Sequence, residues 1–358
     1  NIPLHTFMQI TEWYKGDFNE IYKDISLTAL SSNVVVTIPQ YTSPELLELY
    51  GLLSGDGWLD HAGSRITNFN LLLIKRFFEL SKELFGLEPK TYKKGRFDLN
   101  SRVLRSFFHL VFQMPLKKKA RNIFLPSFIF KCPNNEISAF IKGLFNCDAY
   151  VDKNGGDIII TLASKKLIQQ VTYLLLRFGI VARYSETLKK ASSSTKRRRR
   201  YYSLSISGKE NLEIYNKEIG FTVLHKAERL NSYLTKQRYQ NNVDVIPCGM
   251  LIRKIRRDSG KILPRKVHKA LWQYEVMKIN PSKKKLQEII QLLKSYNIDC
   301  KELEKLLYAD IFWDKIEQIK KVNNPIKVYD ITVPITHNFV ANQFIIHNST
   351  MMNIIGCL

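Results

Sequence analysis

Acidic residues are scarce in this 358-residue sequence: 32 Asp and Glu stand against 55 Lys and Arg, which gives a formal net charge of +23. A charge that large repels itself in a compact fold unless a polyanion partner offsets it. The basic residues are spread along the chain instead of being collected in a tail, and nucleic acid is the commonest partner of such a surface. The alternative is a merely soluble basic surface. The hydrophobic fraction of 45% is enough for ordinary packed cores.

Close cysteine pairs and long apolar runs are also lacking. No Cys-x-x-Cys or zinc-type spacing occurs, so we expect free thiols in a reducing, cytoplasmic compartment. The first residues show no basic-then-apolar signal sequence. No run of about 18 apolar residues predicts a membrane span. The chain opens with Asn1 instead of Met, so we expect a processed product or a fragment. The five cysteines are Cys132, Cys147, Cys248, Cys300 and Cys357.

Two segments of the chain, 46–57 and 140–149, resemble each other. Apolar residues recur at helical spacing in both, so both are predicted to be helices. Ser43 and Pro44 are typical of a helix start, and Asn135 is the predicted cap of the second helix. Aligned at their aspartates, the segments match at three positions: Gly51 with Gly143, Leu52 with Leu144, and Asp56 with Asp148.

Small residues lie four positions apart on one face of each predicted helix, at Gly51 and Gly55 and then at Gly143 and Cys147. Residues at this spacing share a face, and their lack of bulk lets two helix backbones approach closely. Such packing would bring the aspartates that follow, Asp56 and Asp148, together.

Two adjacent carboxylates repel each other, and two negative helix ends add to the repulsion. A hard divalent ion such as Mg²⁺ would relieve it, because Mg²⁺ prefers carboxylate oxygens and retains waters. The alternative is two unrelated helix ends, each with a solvated aspartate.

The sequence after each motif is also similar. After the second motif we predict a strand over 157–162, a helix over 165–178 closed by Gly179, and strands over 181–187 and 201–207. After the first we predict a strand over 65–68, a helix over 71–85 closed by Gly86, and strands near 90–92 and 96–99. The fold class is therefore predicted to be α+β.

The paired motifs resemble those of the LAGLIDADG homing endonucleases, in the single-chain form found inside inteins, and the resemblance covers about residues 40–235. It implies two pseudo-symmetric αββαββα repeats, about 43–115 and 116–235, with the motif helices at their interface. It also implies that curved sheets lie in the DNA major groove. Asp56 and Asp148 would then hold Mg²⁺ at the scissile phosphates of double-stranded DNA, at an intein-free site in the host gene.

The family places a basic residue near each metal. The segment 117–129 resembles the lysine-then-proline block before the second motif, and it nominates Lys119, with Lys118 next. The segment 219–226 resembles the matching block of the second half and nominates Lys226. The alternative for each is a solvated surface lysine.

The second motif departs from the family pattern, since it has Asn146-Cys147-Asp148-Ala149 where Asp-Ala-Asp-Gly is usual. We expect Ala149 at a left-handed helix end to cost about 1 kcal/mol of backbone strain. The aspartate itself is retained.

A charge run lies between the last two predicted strands, over 188–200, and it is predicted to form a flexible hairpin tip. Its density of arginine favours phosphate contacts, and the alternative is a solubilising loop. The candidate DNA-binding residues are Lys196, Arg197, Arg198, Arg199 and Arg200.

Near the end of the chain, strands are predicted over 312–322 and 328–333, with a turn over 323–325. The run 336–349 then resembles the C-terminal end of an intein, so 311–348 is expected to be the C-terminal β part of a Hint domain. Asp330 matches a position where the family often has an assisting acid.

The resemblance assigns roles that suit these residue types. The side-chain amide of Asn348 attacks its own carbonyl, forms a succinimide and breaks the chain before Ser349. His347 donates a proton to the leaving nitrogen, His337 polarises or deprotonates at the same centre, and Ser349 accepts the upstream acyl group.

The splicing nucleophile expected at an intein's first residue is not seen, because Asn1 cannot form a thioester. We therefore expect no splicing by this chain alone, and a separate N-terminal half as a partner. Residues 1–42 are expected to be a linker, and 349–358 the C-extein. That last stretch resembles the helix after the phosphate loop of ABC-transporter ATPases.

Residues 236–310 are predicted to be helical, over 249–276 and 281–308, as either a DNA-contacting region or a spacer. Three functions remain open for the whole chain. The first is a metal-dependent DNA endonuclease, the second a degenerate, maturase-like DNA- or RNA-binding module, and the third pure autoprocessing with a vestigial nuclease.

Overall fold

The computed structural model describes residues 35–117, 119–153, 156–190, 198–235, 245–309, 311–314, 316, 319, 321, 331–341 and 344–347, with the backbone alone at 189 and 190. Two compact units are present, Asn1–Leu307 and Tyr308–Leu358. Several predicted residues lie outside the described ranges: Lys118, Lys196, Arg197, Asp330, Asn348, Ser349, most of the linker 1–42 and the C-extein 349–358.

The first half of the larger unit has the predicted order of elements. Helix α1 (Pro44–Gly55) is followed by β1 (Gly57–Leu59), β2 (Ser64–Thr67), α2 (Leu71–Phe85), β3 (Lys90–Lys93), β4 (Arg96–Leu99) and α3 (Arg102–Leu110). The predicted start of α1 is confirmed, because the Ser43 hydroxyl accepts from the Leu46 amide at 3.2 Å. Gly86, with φ of 67°, closes α2 as predicted.

The second half repeats this order after the short helix α4 (Lys119–Asn122) and a 3₁₀ turn (Ser127–Lys131). Helix α5 (Asn134–Asp148) precedes β5 (Ala149–Val151), β6 (Ile158–Leu162), α6 (Lys165–Leu176), β7 (Ala182–Lys190), β8 (Arg198–Ile206), α7 (Lys209–Glu218) and α8 (Leu224–Leu234). The prediction that Asn135 caps α5 is wrong. Pro133 precedes this helix and no side chain caps it, so Asn135 lies inside the first turn.

The two halves share one sheet topology. The four-stranded sheets have the orders β1-β2-β4-β3 and β5-β6-β8-β7, and their paired strands are antiparallel. The predicted α+β class and the similarity of the halves are therefore confirmed. The predicted hairpin tip over 188–200 is too long, since β7 runs to Lys190 and β8 begins at Arg198.

Helices α1 and α5 pack backbone to backbone, as the small residues predict. A Cβ added to Gly51 would lie 2.3 Å from the carbonyl oxygen of Phe140, and one on Gly143 would lie 2.4 Å from that of Glu48. A Cβ on Gly55 would lie 2.5 Å from the Cβ of Cys147. One apolar core is continuous from the first half into the second across this interface.

Residues 249–308 are helical, as predicted, but they form four helices instead of two. These are α9 (Gly249–Asp258), α10 (Arg265–Glu275), α11 (Lys283–Lys294) and α12 (Lys301–Tyr308). The first predicted helix is divided because Gly260, with φ of 61°, follows the end of α9, and Pro264 then precedes the start of α10. Asn297, with φ of 55°, lies in the turn after α11. The four helices pack around a separate apolar core.

The smaller unit contains a β-hairpin of β9 (Asn338–Ala341) and β10 (Phe344–His347), paired antiparallel with His347 opposite Asn338. The predicted strands over 312–322 and 328–333 are not found in the described residues of those stretches. A strand needs a neighbour for its N–H and C=O groups, and in the described part of this unit β9 and β10 pair only with each other. No helix in the described ranges is long and apolar enough to cross a membrane.

Candidate active site

The two motif aspartates lie at the same end of the packed helix pair. Asp56 follows α1 directly, and its amide donates to the Leu52 carbonyl at 3.1 Å. Asp148 is the last residue of α5. Because the helices touch at Gly51 and Gly143, their ends coincide, and the Asp148 Oδ2 lies 3.2 Å from where a Cβ on Gly55 would be. The structure thus brings together the two residues that the repeat paired.

The Asp148 carboxyl group has an unfavourable electrostatic setting. Crowding by protein atoms, and then the negative charge of Asp56, raise its pKa to about 6, although the side chain still reaches solvent. Among the described residues no donor is hydrogen-bonded to it. Asp56 differs, because the Asn68 Nδ2 donates to its Oδ2 at 2.6 Å. Within the described residues, Asp56 thus has a donor and Asp148 has none. Two close carboxylates in this arrangement favour the binding of a cation.

Lys119 closes the C-terminal end of α1. Its Nζ donates to the carbonyl oxygens of Leu53 at 3.0 Å, Gly55 at 2.6 Å and Gly57 at 2.5 Å. Burial lowers the pKa of this ammonium group to about 8, and the nearby Asp148, Cys147 and Asp56 oppose that shift. The positive charge therefore lies at the negative end of the helix dipole, next to both carboxylates.

Lys226 closes the C-terminal end of α5 in the same way. Its Nζ donates to the carbonyl oxygens of Phe145 at 3.1 Å and Asn146 at 2.6 Å. The side chain is buried, and burial is the main cause of a lowered pKa, opposed by Cys147, Asp148 and Asp56. Both lysines nominated by sequence are thus at matching positions, and neither is a solvated surface lysine.

Asn146, which departs from the family pattern, has a structural role that the sequence did not reveal. Its Oδ1 accepts from the amides of Thr222 at 3.0 Å and Val223 at 3.2 Å. Those residues lead directly into α8, which carries Lys226. An aspartate would accept the same two bonds, but only the amide can also donate to the Thr222 hydroxyl, which it does at 3.3 Å.

The expected strain at Ala149 is absent. Its backbone has φ of −85° and ψ of 155°, which is extended and open to any residue. The prediction of a left-handed helix end was wrong because α5 passes straight into β5, so the methyl group costs nothing there.

Cys147 lies within the helix interface beside both aspartates. Burial, followed by the charges of Asp56 and Asp148, raises the pKa of its thiol well above the ordinary value. Its Sγ is 3.8 Å from the Leu52 carbonyl oxygen. The thiol therefore stays protonated near neutral pH and acts as a small packing residue.

The protein offers a metal few ligands here. No group of three or more His, Cys, Asp or Glu that could hold a metal is found among the described residues. Asp56 and Asp148 can supply two carboxylates. This suits Mg²⁺, which is often bound through one or two carboxylates while its other positions hold water or substrate phosphate.

Strands β7 and β8 extend the second sheet as a two-stranded ribbon, with Lys190 paired to Arg198 and Leu188 to Arg200. The side chains of Arg198, Arg199 and Arg200 are exposed. Arg200 is 3.3 Å from the carboxylate of Glu186, an exposed ion pair that contributes little. The described part of the arginine run is therefore on a strand end that reaches solvent.

In the smaller unit, the hairpin brings His337 and His347 together, with ring centroids 6.1 Å apart. His337 has φ of 54°, a left-handed backbone that turns the chain into β9. The two residues expected to act on Asn348 are thus neighbours.

Residues 135–220 match the family described as LAGLIDADG-like domain. Two curated relatives match nearly the whole chain. The glutamine–fructose-6-phosphate aminotransferase of Methanocaldococcus jannaschii is 31% identical over 98% of this chain and 31% of its own length. The probable translation initiation factor IF-2 of the same organism is 28% identical over 85% of this chain and 30% of its own length. The chain therefore spans about a third of the length of these relatives.

A solved structure of mesophilic variants of the homing endonuclease I-DmoI is 24% identical to this chain, with a TM-score of 0.35. The match covers 49% of this chain and 95% of that structure. The segment 135–220 that matches the LAGLIDADG-like domain includes α5 from its second residue and the whole second sheet.

Proposed function

We propose that residues 43–235 form a metal-dependent homing endonuclease that cuts double-stranded DNA. One observation carries the proposal: two helices in backbone contact end in two adjacent carboxylates, and each helix end is closed by a lysine with a lowered pKa. Perturbed titratable groups gathered at one place are typical of catalytic sites. The LAGLIDADG-like match over 135–220 supports it.

Asp56 and Asp148 would hold Mg²⁺ in this site. The absence of a donor to Asp148 among the described residues fits a cation there, and so does its pKa of about 6, which burial and then the charge of Asp56 raise. Bound Mg²⁺ would supply positive charge at the scissile phosphate and acidify a bound water. Asn68 holds the Asp56 carboxylate in one orientation through its 2.6 Å bond.

The two lysines would act from the helix ends next to the carboxylates. Lys119, with a pKa of about 8, changes its protonation state close to neutral pH, so its Nζ can hold or release a proton there. Lys226 adds a second buried ammonium on the other helix end. Their charges also oppose the repulsion between Asp56 and Asp148, which lets both carboxylates be ionised together.

The basic surface would supply affinity for DNA without sequence choice. The net charge of +23 and the exposed Arg198 to Arg200 on β8 suit contacts to phosphates, which dominate such affinity. Lys196 and Arg197, in the same run, are proposed as further contacts. Sequence choice would come from side chains on the two sheets.

The test uses DNA that spans the intein-free host site, incubated with the protein in Mg²⁺ or in EDTA. We expect double-strand cleavage in Mg²⁺ only, and loss of cleavage with retained binding in Asp56→Asn. Cleavage in EDTA would contradict the metal requirement. Tight binding with no cleavage under any metal would favour the second candidate, a maturase-like binding module, for which the motive is the departure from the family motif at Asn146 and Ala149.

We also propose that the nuclease lies within a protein-splicing element. The relatives support this, because an aminotransferase and a translation factor have no common activity, yet both match over most of this chain and about a third of their own length. A segment shared by such different proteins is best explained as an insertion. The adjacent His337 and His347 fit the proposed cleavage before Ser349, and residues 349–358 suggest an ABC-transporter ATPase as host.

The splicing proposal is tested by mass spectrometry of the peptide released from Ser349 to Leu358. We expect slow release, faster release when an N-terminal splicing segment is supplied, and none in Asn348→Ala. Holding the asparagine in attack geometry can account for about 7–11 kcal/mol of barrier in the best cases. Continued release in Asn348→Ala would refute this part of the proposal and leave the nuclease proposal untouched.

A further inference from the structure

The helical region α9–α12 carries positive charge that its own contacts do not balance. Between residues 249 and 280 there are nine Lys and Arg residues but only two acidic ones, Asp258 and Glu275. Glu275 is buried and its carboxylate accepts from Arg256 at 2.5 and 3.0 Å, so it offsets no other charge. Several exposed basic side chains have no ion pair within the described part of the chain: Lys254, Arg257, Arg265, Lys266 and Lys269.

Three of these basic side chains, Arg265, Lys266 and Lys269, lie on α10. Val267 and Leu271 are buried on one face of this helix. Arg265, Lys269 and Trp272 are exposed, and their spacing of four and then three residues places them together on the opposite face. Trp272 is 54% exposed, which is unusual for so large an apolar side chain. The solvent face of α10 is therefore both basic and aromatic.

The start of α10 increases this positive potential. Arg265 and Lys266 open the helix after Pro264, and its first turn has no acidic residue. The N-terminal end of a helix already carries partial positive charge, which favours Asp and Glu there. Two cations at this end therefore cost free energy in the isolated protein, and a bound polyanion would recover it.

Helix α10 is packed closely against α9. The paired Arg256 and Glu275 join α9 to α10, and a Cβ on Gly249 would lie 2.1 Å from the Tyr274 carbonyl oxygen. Leu263 anchors the connection between the helices by its burial. The basic face therefore belongs to a packed helix, so the backbone that carries it is already ordered before a ligand binds.

We infer that α10 is a second contact surface for duplex DNA, apart from the two sheets. Phosphates along a duplex match a row of basic side chains, and a helix about 10–12 Å across fits a major groove about 12 Å wide. A membrane surface would instead require a broad apolar face. This inference rests on the proposed function for its choice of DNA, and it extends the contact with that DNA beyond residues 43–235.

The test measures binding of the full chain to a mixed-sequence DNA duplex by fluorescence anisotropy in EDTA, over a range of salt. The variant is Arg265→Ala with Lys269→Ala. The matched control is Lys301→Ala with Lys305→Ala, which removes the same charge from exposed positions on α12. Alanine favours helix, so both variants should keep their fold, which circular dichroism checks.

We expect the α10 variant to bind roughly tenfold or more weakly at low salt. Each phosphate contact contributes about 0.9 to the slope of log affinity against log salt, so losing two contacts flattens it by about 1.8. The control should bind like the wild type. In a second measurement, Trp272→Phe should reduce the change in tryptophan emission on DNA addition, and Trp58 on β1 of the first sheet supplies the remainder.

Unchanged affinity and slope in the α10 variant, or an equal loss in the control, would overturn the inference. Loss of binding to anionic vesicles but not to the duplex would also overturn it and indicate a membrane surface. If the wild type never cuts DNA but the α10 variant still weakens duplex binding, only the nuclease proposal fails. If the wild type cuts and the variant binds normally, only this inference fails.

Discussion

Replacing Asp148 by Asn should stabilise the metal-free protein while it removes cleavage. The Asp148 pKa is about 6 in the folded chain, against about 4 for an ordinary aspartate. The ionised form of Asp148 is therefore less stable in the folded chain than in the unfolded chain. This penalty is absent below pH 4, where both states are protonated, and complete above pH 6. The asparagine side chain of the variant has the same shape but no charge, so the variant does not carry this penalty.

The size of the effect follows from the same pKa. Each pKa unit corresponds to about 1.4 kcal/mol, so the full penalty would be about 3 kcal/mol. Because Asp148 is exposed, solvent screening reduces this to about 1 kcal/mol. For a domain of this size we expect Asp148→Asn to raise the Tm by about 2–4 °C at pH 8 in EDTA.

The assay is thermal unfolding at pH 8 and at pH 4.5, with and without Mg²⁺. The gain in Tm should shrink strongly at pH 4.5, where folding already leaves Asp148 protonated. Added Mg²⁺ should stabilise the wild type more than the variant, because the ion relieves the same repulsion. An unchanged or lower Tm at pH 8, or a gain of equal size at both pH values, would refute the electrostatic account of this site.

Gly51→Ala should lower the free energy of unfolding in urea by about 1–3 kcal/mol, since its methyl group would meet the Phe140 carbonyl oxygen at 2.3 Å. The control is Lys75→Ala at an exposed position on α2, and an equal loss of stability in both variants would contradict the close helix packing. Lys226→Met should lower the cleavage rate by about a hundredfold while duplex binding persists, because a preorganised cation is lost; full activity would show that this lysine is structural only. Replacing Arg198, Arg199 and Arg200 together by alanine should flatten the slope of log DNA affinity against log salt by about 0.9 per lost contact. An unchanged slope would show that these arginines face solvent and do not contact phosphate.

Local signals explain why the helices and sheets of 43–235 could be predicted. Ser43, Gly86 and Gly179 mark helix ends through bonds and backbone angles within a few residues of themselves. The repeat then placed Asp56 beside Asp148, because matched small residues specify how the two helices pack. Both steps need only short stretches of sequence.

Other features depended on partners far away in the chain. Asn68 reaches Asp56 across 12 residues and Asn146 reaches Thr222 across 76, and no pattern near either asparagine indicates these bonds. The described residues of the strand predicted over 312–322 (312–314, 316, 319 and 321) lie in no strand, and its other residues are outside the described ranges. The role of Lys119 and Lys226 came from resemblance, and their contact with helix carbonyls came from the structure.

The hydrogen bonds from Lys119 and Lys226 to the helix-end carbonyls determine the order in which the site forms during synthesis. The Nζ of Lys119 bonds carbonyls of α1 that lie up to 66 residues earlier, and that of Lys226 bonds carbonyls of α5 up to 81 residues earlier. During synthesis, each aspartate-bearing helix end therefore emerges long before its closing cation. In a nascent chain that stops short of Lys226, the end of α1 has its bonds from Lys119, but the end of α5 lacks its lysine. The cluster of two aspartates and two lysines is therefore complete only when nearly the whole of 43–235 has left the ribosome and folded, so partial products lack the full cluster.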